Sequence, residues 1–178
     1  INSVVTGKPL VLGGSLGRTE ATGRGVMVSA LAAMEKLKIN PYRSTCAVQG
    51  FGNVGSFAAL LMAERGVKIV AISDISGAYF NEKGIDIDQA IEYRNSNNGT
   101  LEGYNGAESI ESNELLELEV DVLIPAAMED VITSRNAENI NAKLIVEGAN
   151  GPTSAKADTI INDKGIMVAP DILANAGG

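Results

Sequence analysis

The sequence contains no histidine and a single cysteine, Cys46. The missing imidazole removes the commonest general base, the Ser-His and Cys-His nucleophile pairs, and nearly every catalytic zinc site. Any chemistry must therefore come from other groups, and no metal site is expected. One cysteine cannot close a disulfide within the chain; this fits a reducing compartment and leads us to expect a cytoplasmic protein. Cys46 itself is expected to be an inert core residue. Long apolar runs are also lacking. The longest notable one, Phe57–Ala63, falls well short of the ~20 residues of a membrane span, so no membrane partner is expected. The opening Ile-Asn-Ser-Val-Val-Thr-Gly shows neither the basic stretch nor the apolar core of a secretory leader. Positive charge is scarce, with 14 Lys and Arg against 22 Asp and Glu and a net charge of -8, which argues against a nucleic-acid surface.

What remains is an ordinary globular composition: 178 residues, 45% hydrophobic and 20% charged. That length suits one domain, residues 1–178, with a core large enough to need no disulfide. The chain opens at Ile1 and stops on Ala176-Gly177-Gly178, ends that suggest a piece of a longer protein.

Residues 1–17 are rich in turn formers. From about Thr19 a helical period sets in, with Val26, Ala30, Leu31, Met34 and Leu37 on one face. Asn40-Pro41 is expected to end it. Thr45–Gln49 reads as a buried strand, followed by Gly50-Phe51-Gly52-Asn53-Val54-Gly55. A helix then carries Val54, Phe57, Ala58, Leu61 and Met62 and closes at Gly66. Val67–Ser73 is a second strand ending at Asp74. The whole is a βαβ unit. Beyond it we expect a short strand at Tyr79-Phe80 and a helix over 86–94 opened by Asp86 and Gln89. Residues 95–113 read as a polar surface excursion. Then come a short acidic helix over 113–118, a strand Val120–Pro125, a helix Thr133–Ile140, a strand Leu144–Glu147, a helix Thr153–Asp163 and a last strand Ile166–Ala169. The Glu-rich stretch 102–119 reads as a solvated face. Alternating strands and helices imply an α/β fold: a Rossmann-like, doubly wound, mostly parallel sheet with helices on both faces.

The glycine motif is the strongest functional signal, because it follows a strand and opens a helix inside a βαβ unit. Gly50 permits the tight turn, Gly52 lets a diphosphate approach the backbone, and Gly55 lets the helix pack on the strand. The helix start adds free N–H groups and the positive end of a dipole. Asp74, about twenty residues past Gly55, stands where a carboxylate accepts hydrogen bonds from an adenosine ribose. A carboxylate there repels a 2′-phosphate, and Ile75, not an arginine, follows it. NAD is therefore favoured over NADP, although Ser76 and Lys83 leave room for a phosphate.

In an open α/β sheet, ligands gather beyond the carboxyl ends of the strands. Ala126 and Ala127 are small enough to admit a nucleoside there. Asn150 and Asn175, in Gly/Ala-rich loops after two later strands, carry amides suited to a carboxamide or a ribose hydroxyl. For either one alone, a turn role is the simpler explanation. Thr19 and Glu20 fit a helix start, whereas the cation Arg18 does not unless an anion accompanies it.

Taken together, several segments resemble the nucleotide-binding domain of the glutamate/leucine/phenylalanine/valine dehydrogenase family. They are Val5-Thr6-Gly7-Lys8-Pro9, Gly13-Gly14-Ser15 with Arg18 and Glu20-Ala21-Thr22-Gly23, Gln49–Gly55, Glu147-Gly148-Ala149-Asn150 with Pro152-Thr153, and Asn175-Ala176-Gly177-Gly178. The first two blocks favour the glutamate enzymes within it. The resemblance implies hydride transfer between NAD or NADP and L-glutamate, giving 2-oxoglutarate and ammonia, reversibly. It implies that Gly50, Phe51, Gly52, Asn53, Val54, Gly55, Asp74, Ile75, Ala126 and Ala127 hold the dinucleotide. Thr22, Asn150 and Asn175 would hold its nicotinamide end, and Arg18 would line the substrate cleft. The family's catalytic lysine, its partner aspartate and most glutamate-binding lysines lie in a domain before Ile1, and a substrate-binding serine follows Gly178. No catalytic residue is therefore expected within this chain, which by itself should not turn over substrate. The parent is expected to be a homohexamer. Alternatives are the same domain of a leucine, valine or phenylalanine enzyme, or a non-catalytic NAD-sensing module.

Overall fold

The computed structural model describes residues 18–170, with side chains from Glu20 onward. The chain runs α1 (Arg18–Lys36), β1 (Thr45–Gln49), α2 (Asn53–Glu64), β2 (Lys68–Asp74), β3 (Gly77–Phe80), α3 (Ile87–Ser96), β4 (Glu108–Ile110), α4 (Ser112–Glu117), β5 (Val122–Pro125), β6 (Leu144–Val146), α5 (Ala155–Asp163) and β7 (Met167–Ala169). The strands form one sheet in the order β4-β3-β2-β1-β5-β6-β7. From β2 to β7 the pairings through β1, β5 and β6 are parallel, while β3 is antiparallel to both β2 and β4. Tyr79-Phe80 is thus the end of a short antiparallel strand.

The centre of the sheet is apolar on both sides, as a parallel strand covered by helices requires. Cys46, Ala47 and Val48 are each fully buried. Successive side chains alternate: Cys46 and Val48 join the core layer containing α1, α2 and α3, whereas Ala47 joins the layer under α4 and α5. The expected doubly wound architecture is therefore present. Val26, Ala30 and Met34 of α1 are fully buried, and Leu31 and Leu37 sit at the rim. α1 lies close against α2 because Gly23 leaves space; a Cβ there would come within 2.7 Å of Phe57 Cβ. Burial pushes the Cys46 thiol well above its ordinary pKa, with Asp121 adding to the effect, as an inert core cysteine requires. Among the described residues no helix is long and apolar enough to cross a membrane.

Three expectations need correction. α1 stops at Lys36 rather than at Asn40-Pro41. Its end is closed earlier by a Schellman turn, in which Ile39 N–H donates to Met34 O (2.9 Å) and Lys38 N–H to Glu35 O (3.1 Å), with Lys38 at φ 58°. Pro41 instead begins a single 3-10 turn capped by the Asn40 side chain. The helix expected over 133–140 is only a 3-10 turn, Ala137–Asn139. Asn136 explains this: its side chain accepts from Thr133 N–H (2.9 Å) and donates to Val131 O (2.8 Å), a local loop that competes with helical bonding. Residues 95–113 are not simply a surface excursion. Leu101 is 0% and Tyr104 5% exposed, and Tyr104 packs edge-on against Tyr79 and Tyr93. The glutamates of 102–119 do face solvent in the main, above the buried Leu115 and Leu116.

At the amino ends of the strands, Asp121 fastens three of them together. Its carboxylate accepts from Thr45 N–H (2.9 Å) at the start of β1 and pairs with Lys143 (3.1 Å) beside β6. Its carbonyl accepts from Leu144 N–H (3.0 Å).

Candidate functional site

β1 connects through α2 to β2 on one side, and the chain returns later to place β5 on its other side. The carboxyl ends of β1 and β5 therefore flank a topological switch point, where open α/β sheets bind ligands. A groove of about 440 Å³ lies there. Gly50, Phe51, Gly52, Asp74, Ile75, Ala126 and Ala127 all line it, so the structure brings together seven residues singled out from the sequence. A larger cavity of about 600 Å³ opens at the opposite edge, around Asp121 and Lys143. It is lined by the turns that follow α1 and α5, including Lys38 and Gly165, rather than by the start of a long helix, and we assign it no role.

The three glycines differ in why they must be glycine. Gly50 has φ 98°, and a Cβ there would sit 2.8 Å from Ala127 Cβ. At Gly55 a Cβ would lie 1.7 Å from Gly50 O, so the first turn of α2 could not seat against the elbow. These two are dictated by the fold. Gly52 is not: its backbone is extended (φ -83°, ψ -155°), and a Cβ there would meet nothing within 4 Å. A side chain at 52 would project into open space beside the groove.

The elbow is fixed from β2 and β5. Gly50 N–H donates to Ser73 O (3.0 Å) and Ser73 Oγ (3.3 Å), and Ala126 N–H donates to Gln49 O (2.7 Å). The N–H groups of Gly52, Asn53 and Val54, at the start of α2, have no acceptor among the described residues. They form a cluster of donors at the positive end of a twelve-residue helix, the arrangement that favours a phosphate. Asn53, Val54 and Gly55 stand in that first turn, outside the groove lining.

Asp74 is held in position before any ligand arrives. Its Oδ1 accepts from Ser76 N–H (2.8 Å) and Ser76 Oγ (2.5 Å), and its Oδ2 from Leu101 N–H (2.7 Å). Tyr79 O–H extends the chain to Ser76 Oγ (3.0 Å). A carboxylate offers about four lone-pair sites, so roughly one remains, and the Ser76 hydroxyl can rotate away. Ile75 is 97% and Met128 64% exposed, two large apolar side chains at the groove mouth. Gln49 also lines it, with its Oε1 buried and without a partner among the described residues.

Not every predicted residue joins this groove. Thr22 is half-buried on α1 and Asn150 is exposed in the loop after β6; neither lines it. Arg18 opens α1, and Asn175 lies outside the described residues. Sequence reasoning missed Met128, Gly99 and Leu101, all at or behind the groove. It also missed Arg94, whose Nη1 donates to Phe51 O (2.8 Å) while its guanidinium sits 5.4 Å from the centre of the Phe51 ring. Burial lowers the Arg94 pKa from its ordinary value, with Asp74 opposing the shift. Arg94 was silent because a cation in the last turn of a helix is already explained by the dipole. Among the described residues no group of three or more His, Cys, Asp or Glu gathers to hold a metal.

Comparison with known proteins agrees with this geometry. The profile described as Glutamate/Leucine/Phenylalanine/Valine dehydrogenase matches residues 13–178. A glutamate dehydrogenase of Thermotoga maritima is 57% identical over 176 residues, 98% of this chain and 42% of the relative. Glutamate dehydrogenase A2 of Halobacterium salinarum is 51% identical over the whole chain, again 42% of its own length. The crystal structure of hetero-hexameric glutamate dehydrogenase from Thermus thermophilus in its Leu-bound form superposes with a TM-score of 0.88 at 30% identity, covering 100% of this chain and 42% of that one. The chain thus spans about 42% of the curated relatives it matches. With the glycine elbow, the switch-point groove and a family profile that matches nearly its full length, the chain belongs to the glutamate/leucine/phenylalanine/valine dehydrogenase family.

Proposed function

We propose that this chain is the dinucleotide-binding part of an NAD(P)-dependent glutamate dehydrogenase. One observation carries the proposal. Gly52 is glycine at a position where the described residues would accept a side chain, in front of three N–H groups that have no acceptor among those residues. A diphosphate approaching those groups supplies the missing reason for the glycine. The Gly50–Gly55 segment would hold that diphosphate, Asp74 the adenosine ribose, and Ile75, Ala126 and Ala127 the nucleoside. Thr22 would meet the nicotinamide end from α1, which packs at Gly23 on Val54 and Phe57 near the start of α2, and Asn150 from the loop after β6; Asn175 would join them. Arg18, in the first turn of α1, would line the substrate cleft.

When bound, the nicotinamide exchanges a hydride with the substrate. The residues here bind and orient it, and the groups that act on the amino acid are expected from outside this chain. Asp74 faces the ribose as an anion and favours NAD over NADP. The names of the relatives favour glutamate as the amino acid. The hetero-hexameric Thermus structure supports a hexameric parent. A cytoplasmic location fits the single, buried thiol.

Titration calorimetry of the purified chain with NAD, NADP and ADP tests the binding half of this reading; absence of binding by all three would overturn it. Assay of the protein that contains this chain against glutamate, leucine, valine and phenylalanine tests the other half. Turnover confined to the apolar amino acids would move it to the sister enzymes, and binding with no turnover of any would make it a sensing module.

A further inference from the structure

The glycine that opens the site also creates a problem. A peptide plane flanked by glycine can rotate, exchanging the directions of its carbonyl and its N–H, because glycine adopts both signs of φ. At Phe51–Gly52 such a flip would turn a carbonyl dipole toward the incoming diphosphate and remove a donor. The structure holds this peptide from behind. Arg94, reaching from α3, donates through Nη1 to Phe51 O at 2.8 Å and stacks on the Phe51 ring. Its Nε and Nη2 hydrogen-bond Asn95 Oδ1, which steadies the guanidinium. Arg94 is absent from the groove lining. In a trans peptide the N–H points opposite the carbonyl, so tying Phe51 O toward α3 directs Gly52 N–H away from α3. A charged donor on the carbonyl also polarises the peptide and strengthens its N–H as a donor.

We propose that Arg94 is a positioning residue: it locks the Phe51–Gly52 peptide with its N–H presented to a diphosphate. The proposal rests on the dinucleotide reading above. It assigns Arg94 a function that its place in the last turn of α3 conceals, and it makes α3 part of the phosphate site without contact to the ligand.

The test compares Arg94→Met and Arg94→Lys with the unaltered protein, using ADP and NAD as diphosphate probes and adenosine as a probe that lacks one. Arg94→Met is expected to weaken ADP and NAD binding tenfold or more while leaving adenosine, followed by NMR titration, within twofold. Arg94→Lys, which keeps a donor without the planar fork, is expected to recover part of the loss. The loss should persist from 0.05 to 0.5 M salt, since a local hydrogen bond is little screened. In ligand-free Arg94→Lys, the Gly52 amide should show microsecond-to-millisecond exchange absent from the unaltered protein. Retained ADP affinity in Arg94→Met would overturn the lock. A loss that vanishes in high salt would assign Arg94 a general field effect instead, and an equal loss of adenosine would make it merely structural. Should Arg94→Met fail to fold, a quiet Gly52 amide together with unchanged ADP affinity in Arg94→Lys overturns the proposal. Failure of the unaltered protein to bind ADP or NAD at all would strike the dinucleotide reading instead.

Discussion

The two ends of the sheet are built on opposite plans. At the amino edge, one residue satisfies its neighbours: the Asp121 carboxylate holds Thr45 and Lys143 and its carbonyl accepts from Leu144, joining β1, β5 and β6. At the carboxyl edge, small residues hold the side chains back, and main-chain donors at Gly52, Asn53 and Val54 have no acceptor among the described residues. The amino edge completes its bonding within the protein; the carboxyl edge leaves its bonding to a ligand. Asp74 stands between the two plans. Three donors from its own chain hold it, yet it keeps room for one more.

The largest expected effect breaks the comparison at the carboxyl edge. Gly52→Val should lower NAD affinity at least a hundredfold, about 3 kcal/mol, by occupying the diphosphate approach. The melting temperature should move by only a few degrees, because the new Cβ meets nothing. Calorimetry beside a thermal melt checks both. At the amino edge the signs exchange. Asp121→Ala strands the part-buried Thr45 N–H and breaks the pair with the exposed Lys143, and should cost about 1–3 kcal/mol in denaturant unfolding, with NAD affinity unchanged. An Asp121→Ala protein that keeps its stability but binds NAD poorly would erase the division of labour.

A smaller effect sharpens the place of Asp74. Asp74→Asn removes the negative charge and keeps one carbonyl acceptor for Ser76 or Leu101. The ratio of NAD to NADP affinity should fall about tenfold, near 1.4 kcal/mol, as repulsion of a 2′-phosphate is relieved. Parallel titrations with both cofactors measure it.

The smallest effect concerns the strand that joins the two ends. Cys46 has its pKa raised by burial, so the unfolded chain releases the thiol proton first as pH rises. The stability linked to that proton is whole below pH ~8.5 and declines above it by up to about 1.4 kcal/mol per pH unit. Urea unfolding from pH 8 to 9, where the loss is about 0.7 kcal/mol, should therefore be steeper in pH for the unaltered protein than for Cys46→Ala. Identical slopes would contradict the burial argument.

The parts that were legible in the sequence are those whose cause is local. The elbow was readable because turn, diphosphate approach and helix packing fall within Gly50–Gly55, and Asp74 because strand length sets its distance from them. The parts that escaped depend on chain brought from far away. Arg94 meets Phe51 across 43 residues, and Leu101 meets Asp74 across 27. Neither leaves a periodic trace. Leu101 and Tyr104 are isolated apolar residues in a polar stretch, so the composition around them reads as solvated although both lie in the core. The turn at 133–140 was misjudged for a related reason: the deciding bonds belong to the Asn136 side chain, and residue type alone does not say which way an asparagine will turn.

The hairpin beyond Asp74 has a consequence for how the molecule meets its copies. β4 ends the sheet on that side with three residues, of which Glu108 and Ser109 are exposed. An incoming strand would find a template too brief and too charged to pair with. This border therefore resists the edge-to-edge addition of strands from a second copy, one route by which sheets grow into fibres.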